Sequence, residues 1–181
     1  MREVLTIDSQ IWIYYLDSNA KEHQNVFNWL NGKKKDGVLF TEKVVISLIV
    51  LLEVAHNFFK MTVTNKELDK DQVEEMILTL MSLDNCQLIE IDQLLVLDVI
   101  KNLKRYISRG IGARDTVILI TMERLQVQTI ATHDKNILGL KSLRRIDPVF
   151  DPPLILEIGE EFDHKNFEQR ITELKLGVGK T

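Results

Sequence analysis

The sequence predicts an α/β fold built on a mainly parallel sheet. Three observations carry that expectation. Short apolar runs, of the kind a strand buried on both faces shows, recur along the chain. Stretches with apolar residues at helical spacing separate them. All three prolines fall in one late cluster, "DPVFDPP" (147–153), so the alternation runs without interruption before it. Strands that alternate with helices form parallel sheets with helical crossovers.

The elements follow in order. "VLTID" (4–8) is an apolar run closed by a polar residue, a buried strand. "IWIYYL" (11–16) and "EHQNVFNWLN" (22–31) read as helical, the second through Val26, Phe27 and Leu30. "GKKKDG" (32–37) is a basic loop, and "KVVI" (43–46) a second strand. Ser47 then reads as the N-cap of a helix through Phe59. Residues 66–81 repeat apolar side chains at Leu68, Val73, Ile77 and Leu80, a helix. "CQLIEI" (86–91) is a strand, and 94–107 an amphipathic helix broken by the glycines of "RGIGARD" (109–115). A helix restarts over 113–125, followed by the strands "QTIAT" (128–132) and "SLRRID" (142–147). The prolines mark the boundary between a domain at 1–150 and a charged C-terminal extension at 151–181.

Composition narrows the class. The 181 residues suit one domain, and 45% hydrophobic with 28% charged residues is a globular mix. A net charge of -4 means that any nucleic-acid site must be a local patch. Cys86 is the only cysteine, which fits a reducing compartment. The longest apolar run, "VVISLIVLLEVAHNFF" (44–59), is shorter than the roughly 20 residues a membrane span needs. The chain reaches Asp8 without an apolar leader, so the expectation is a cytoplasmic protein with no membrane association.

That apolar run carries one carboxylate, Glu53. A buried carboxylate needs water, a hydrogen-bonding or cationic partner, or a metal. Glu53 lies six residues past Ser47, about 9 Å along a helix, and helical side chains lean toward the helix start. It can therefore face the carboxyl edge of the sheet, where sites of parallel α/β folds form. Asp8 ends the first strand, Asp115 opens the helix that leads to "QTIAT", and Asp134 follows that strand. If the Asp115 helix packs antiparallel to the strands, four carboxylates distant in sequence can share one crevice at that edge. Crowded carboxylates repel unless a hard divalent cation such as Mg²⁺ joins them. Each acid alone also has an ordinary reading. Asp8 and Asp134 can cap, Asp115 suits a helix start, and Glu53 can pair with a lysine or arginine.

"VLTIDSQIWIYYL", "VVISLIVLLEVAHNF" and "ARDTVILITMERLQVQTIATHDKNI" together resemble the PIN-domain (PilT N-terminus) nucleases, in order, across residues 4–146. The matching features are Asp8-Ser9 after the first strand and Ser47 with Glu53 in a strand–helix stretch. Asp115 at a helix start and Thr132-His133-Asp134 after the next strand complete them. The resemblance implies a three-layer α/β/α sandwich and an endoribonuclease that hydrolyses phosphodiester bonds of single-stranded RNA through metal-activated water. It implies Asp8, Glu53, Asp115 and Asp134 as catalytic Mg²⁺ or Mn²⁺ ligands, with Ser9 and Thr132 orienting them. Many relatives are toxins of toxin–antitoxin pairs, VapC-like ribonucleases, and many form homodimers, which implies an antitoxin partner and a homodimer here. Two positions depart from the pattern: Gln10 stands where Asn is common, and Asn136 where a further acid is common. The chain is also longer than a small PIN toxin, around 61–85 and after Pro148.

Arg114 and Lys135, which flank two of the acids, are the candidate RNA contacts. Further basic residues occur at Lys33 to Lys35, Lys101, Lys104, Arg105, Arg109 and Arg144-Arg145, and Trp12, Tyr14 and Tyr15 are candidates for stacking on bases or for the core. The alternative function is a PIN-like binding or assembly module with little or no catalysis. Two Glu-x-x-His pairs, Glu53/His56 and Glu161/His164, raise a di-iron helical bundle, which the strand-like runs oppose. "GVGKT" (177–181) lacks the first glycine of a phosphate loop.

Overall fold

A computed structural model describes residues 3–64 and 68–176. Its elements are β1 (Val4–Ile7), α1 (Ser9–Leu16), α2 (His23–Asn31), α3 (Val38–Thr41), β2 (Lys43–Ser47), α4 (Leu48–Thr64), α5 (Lys70–Met81) and β3 (Cys86–Ile89). They continue with α6 (Gln93–Ile107), α7 (Ala113–Leu125), β4 (Thr129–Ala131), α8 (Lys135–Leu138), β5 (Arg144–Asp147), β6 (Leu154–Leu156) and α9 (His164–Leu176). The strands form one sheet in the order β3-β2-β1-β4-β5-β6. All neighbours are parallel except β5 and β6. The fold is the mainly parallel α/β/α sandwich expected from the sequence, which rules out a di-iron bundle. The "GVGKT" segment and the expected helix start at Lys66 lie outside the described residues.

Burial explains why the strands read clearly. Leu5, Ile7, Val44, Val45, Ile46, Ile130 and Ala131 are all buried, as a central parallel sheet requires. Trp12 is fully buried in α1, so it is core and cannot stack on a base. Ser47 ends β2, and its buried Oγ has no hydrogen-bond partner. It therefore does not cap α4. Side-chain caps occur elsewhere: Asp69 accepts from the Asp71 N–H before α5, and Asp92 from the Leu95 N–H before α6. Among the described residues, no helix is long and apolar enough to cross a membrane.

The segment after the prolines packs onto the sheet. β6 adds an antiparallel edge, pairing Ile146 with Ile155. Arg145, expected on a basic surface, is fully buried. Its guanidinium donates to the carbonyls of Leu138 (2.9 Å), Glu157 (2.7 Å) and Glu160 (3.1 Å). A buried cation is tolerated because those carbonyls take the N–H groups of both terminal nitrogens, while Nε is left without a partner. Leu138, Phe150, Leu156 and Phe167 form a second small core between α8, β6 and α9. Phe167→Ala should destabilise the protein by about 3 kcal/mol through lost transfer energy and a cavity. Urea unfolding of the variant checks this, and a change below 1 kcal/mol would show that α9 is not part of the cooperative unit.

Candidate active site

The strand order reverses between β1 and β4, since β1 leads on to β2 on one side and β4 leads to β5 on the other. Open α/β sheets form their crevice at such a switch, beyond the carboxyl ends of the strands. Asp8 and Thr132 directly follow the two strands there. The Asp8 N–H donates to the Ala131 carbonyl at 2.9 Å, which extends the ladder to the edge. The Thr132 hydroxyl donates to Asp8 Oδ2 at 2.8 Å, and the Ser9 hydroxyl to Oδ1 at 3.3 Å. Thr132 Oγ1 also accepts the Asp134 N–H at 3.0 Å. One fully buried threonine thus ties the Asp8 carboxylate to the backbone of Asp134.

The other acids come from helices. Asp115 stands in the first turn of α7 and accepts from the Gly112 N–H at 3.2 Å. Asp134 caps α8 by accepting from the N–H groups of Asn136 and Ile137 at 2.6 and 3.2 Å. Glu53 lies in α4 and pairs with Arg114 of α7 at 2.7 Å. Its side chain is only 11% exposed, whereas that of Arg114 is 69% exposed. The second oxygen of Glu53, Oε2, is buried and has no hydrogen-bond partner.

Electrostatics joins these groups into one set. Burial pushes the Asp8 carboxyl up to about 6, opposed by the Thr132 hydrogen bond and raised further by the charges of Asp115 and Glu53. Burial also raises Asp115, with repulsion from Asp134 and Glu53 adding to it. Each of the four carboxylates is therefore coupled to at least one other. Among the described residues, no group of three or more His, Cys, Asp or Glu side chains is placed to hold a metal ion. The donors are all oxygens and the buried Glu53 Oε2 is unpaired, which is the ligand chemistry that hard divalent cations take. Mg²⁺ usually binds through one or two carboxylates and keeps several waters.

The profile described as "PIN domain" matches residues 5–143. The chain belongs to the PIN-domain family. PIN-domain proteins are generally nucleases. Three solved structures share the fold. The sarcin-ricin loop cleaving toxin VapC20 of Mycobacterium tuberculosis is 14% identical, with a TM-score of 0.56 over 74% of this chain and 93% of that one. VapBC-1 from nontypeable Haemophilus influenzae gives 18% identity and a TM-score of 0.54, over 81% of this chain and 99% of that one. A toxin–antitoxin complex from Klebsiella pneumoniae gives 21% and 0.50, over 80% and 97%. A search of curated proteins finds no match.

Within this PIN domain, some roles were not visible in the sequence. His133, between Thr132 and Asp134, places Nδ1 2.7 Å from Oδ2 of the fully buried Asp147. Its ring packs on Phe167 and Phe150, with centroids 5.5 and 6.1 Å apart. The segment that carries Asp134 is thereby held from the extension side. The signal was a histidine inside Thr-x-Asp and an aspartate closing "SLRRID", but only the fold brings them together. Lys135 points away from a free role, pairing with Glu168 of α9 at 2.8 Å.

Proposed function

We propose that this PIN domain is a Mg²⁺- or Mn²⁺-dependent endoribonuclease acting on single-stranded RNA. The observation that carries the reading is Asp8. It is a buried carboxylate at the topological switch, held by Thr132 and Ser9 and repelled by two further acids. Stability alone gives no reason for that arrangement, since burial makes the ionised Asp8 carboxylate costly. Asp8, Asp115, Asp134 and Glu53 would hold the cation. Bound there, it would supply the positive charge that activates water and stabilises the leaving oxygen of a phosphodiester.

The chain's own residues do the rest. Thr132 and Ser9 fix the Asp8 carboxylate, and Thr132 couples it to the turn that carries Asp134. Arg114 pairs with Glu53, and Arg114 and Lys135, which flank two of the acids, are the candidate contacts for substrate phosphates. Exchange of exposed pairs such as Lys135–Glu168 for phosphate contacts costs little, because surface ion pairs contribute about 0–1 kcal/mol. Single strands suit an acidic protein that has only local basic patches, whereas a duplex needs a longer basic track. The likeness to toxin–antitoxin structures supports an antitoxin partner, and a homodimer is a further part of this reading. The test is incubation of the purified protein with single-stranded RNA. Cleavage should require Mg²⁺ or Mn²⁺ and stop on chelation. Cleavage that persists in excess chelator would contradict the reading.

A further inference from the structure

A second feature lies beside the carboxylates and is not explained by them. A cavity of about 550 Å³ opens between the end of α6, α8 and the start of α9. Arg105, Arg109, Lys135, Asn136, Lys141 and His164 are among its lining residues, and none of the residues lining it is acidic. In a chain of net charge -4, this is a local concentration of cations. Cations gathered around one hollow repel one another and attract an anion, and glutamates outside the lining offset part of that charge.

The cations are not locked. Lys135 pairs with Glu168 at 2.8 Å, Lys141 with Glu161, and Arg105 with Glu123 at 3.6 Å. These pairs involve exposed side chains, so a phosphate can displace them at small cost. Arg109 has no acidic partner at ion-pair distance among the described residues. Its place is set by the turn after α6, where Gly110 takes φ +75° and offers its carbonyl to Asn136 Nδ2 at 3.1 Å. Asn136 in turn gives its N–H to the Asp134 carboxylate. The cavity's lining also includes Lys135, one residue after a proposed metal ligand, Asp134. One of its walls, His164 with Glu161 and Glu168 behind the lysines, comes from beyond the residues that match the PIN-domain profile.

We propose that this cavity binds a backbone phosphate of the RNA strand whose neighbouring linkage lies at the carboxylates. The proposal rests on the ribonuclease reading. Arg105 and Arg109 suit it chemically, because guanidinium groups bind phosphate oxygens bidentately, and Lys141, Lys135 and Asn136 add donors.

The test measures binding without cleavage. A labelled single-stranded oligoribonucleotide is titrated in EDTA by fluorescence anisotropy at several salt concentrations. Arg109→Ala should raise Kd about tenfold and lower the slope of log affinity against log salt by about 0.7, the loss of one phosphate contact on a single strand. Lys141→Ala should act in the same direction. Arg109 is exposed, so the fold should survive, which a melting curve verifies. Wild-type affinity and slope in Arg109→Ala would overturn the proposal, as would a wild type that binds no RNA. If pyrophosphate binding is lost in Arg109→Ala while RNA binding is unchanged, the cavity serves a free phosphate, and the RNA assignment fails. The ribonuclease reading is tested separately, because Mn²⁺ stabilisation of wild type and Arg109→Ala should be equal whatever the RNA result.

Discussion

Asp8→Asn is expected to abolish RNA cleavage while making the metal-free protein more stable. The activity should fall on the order of 10³-fold, because a neutral amide is a poor ligand for a hard cation and the lost charge stabilisation is several kcal/mol. The stability gain follows from burial. The Asp8 carboxyl titrates near 6 in the folded chain against 3.8 for the free side chain. Between those values the native state holds more protons than the unfolded state, so stability falls as pH rises through that window. Below about 4 nothing is lost; above about 6 the full penalty applies, on the order of 2–3 kcal/mol. The asparagine does not titrate, and its carbonyl can still accept from Thr132. At pH 7.5 the variant should therefore melt about 5 °C above the metal-free wild type, with the difference shrinking toward pH 4. A variant that melts lower at pH 7.5 would show that Asp8 is a structural acid.

Divalent cation should offset most of that difference. Mn²⁺ at about 100 times its Kd should stabilise the wild type by roughly 2.7 kcal/mol, since it binds only the folded chain. Asp115→Asn should lose at least half of that gain, because Asp115 is electrostatically coupled to both Glu53 and Asp134. Both effects are read from melting curves with and without metal. Equal gains in the wild type and the Asp115→Asn protein would place the ion elsewhere.

Five strands and most helices were legible because each carries its own apolar period. β6 was not, since three residues after a proline cluster give no period, and only pairing with β5 makes them a strand. Arg145 misled for a related reason. In sequence it reads as one of two surface arginines, but three carbonyls from other segments receive it in the core. Trp12 was ambiguous between stacking on bases and packing until α1 turned it inward. At the site, the positions of the acids at strand and helix ends could be argued from the sequence. The Glu53–Arg114 pair, the Thr132 bridge and the His133–Asp147 contact could not, because each joins side chains placed together only by the fold.

The central claim is that these carboxylates hold a divalent cation, and crystals soaked in Mn²⁺ test it most directly. Anomalous diffraction should show a peak against Asp8 and Asp115, with the Glu53–Arg114 pair altered, and the peak should be absent in Asp8→Asn crystals. A peak bound by other residues, or none at saturating Mn²⁺, would contradict the account.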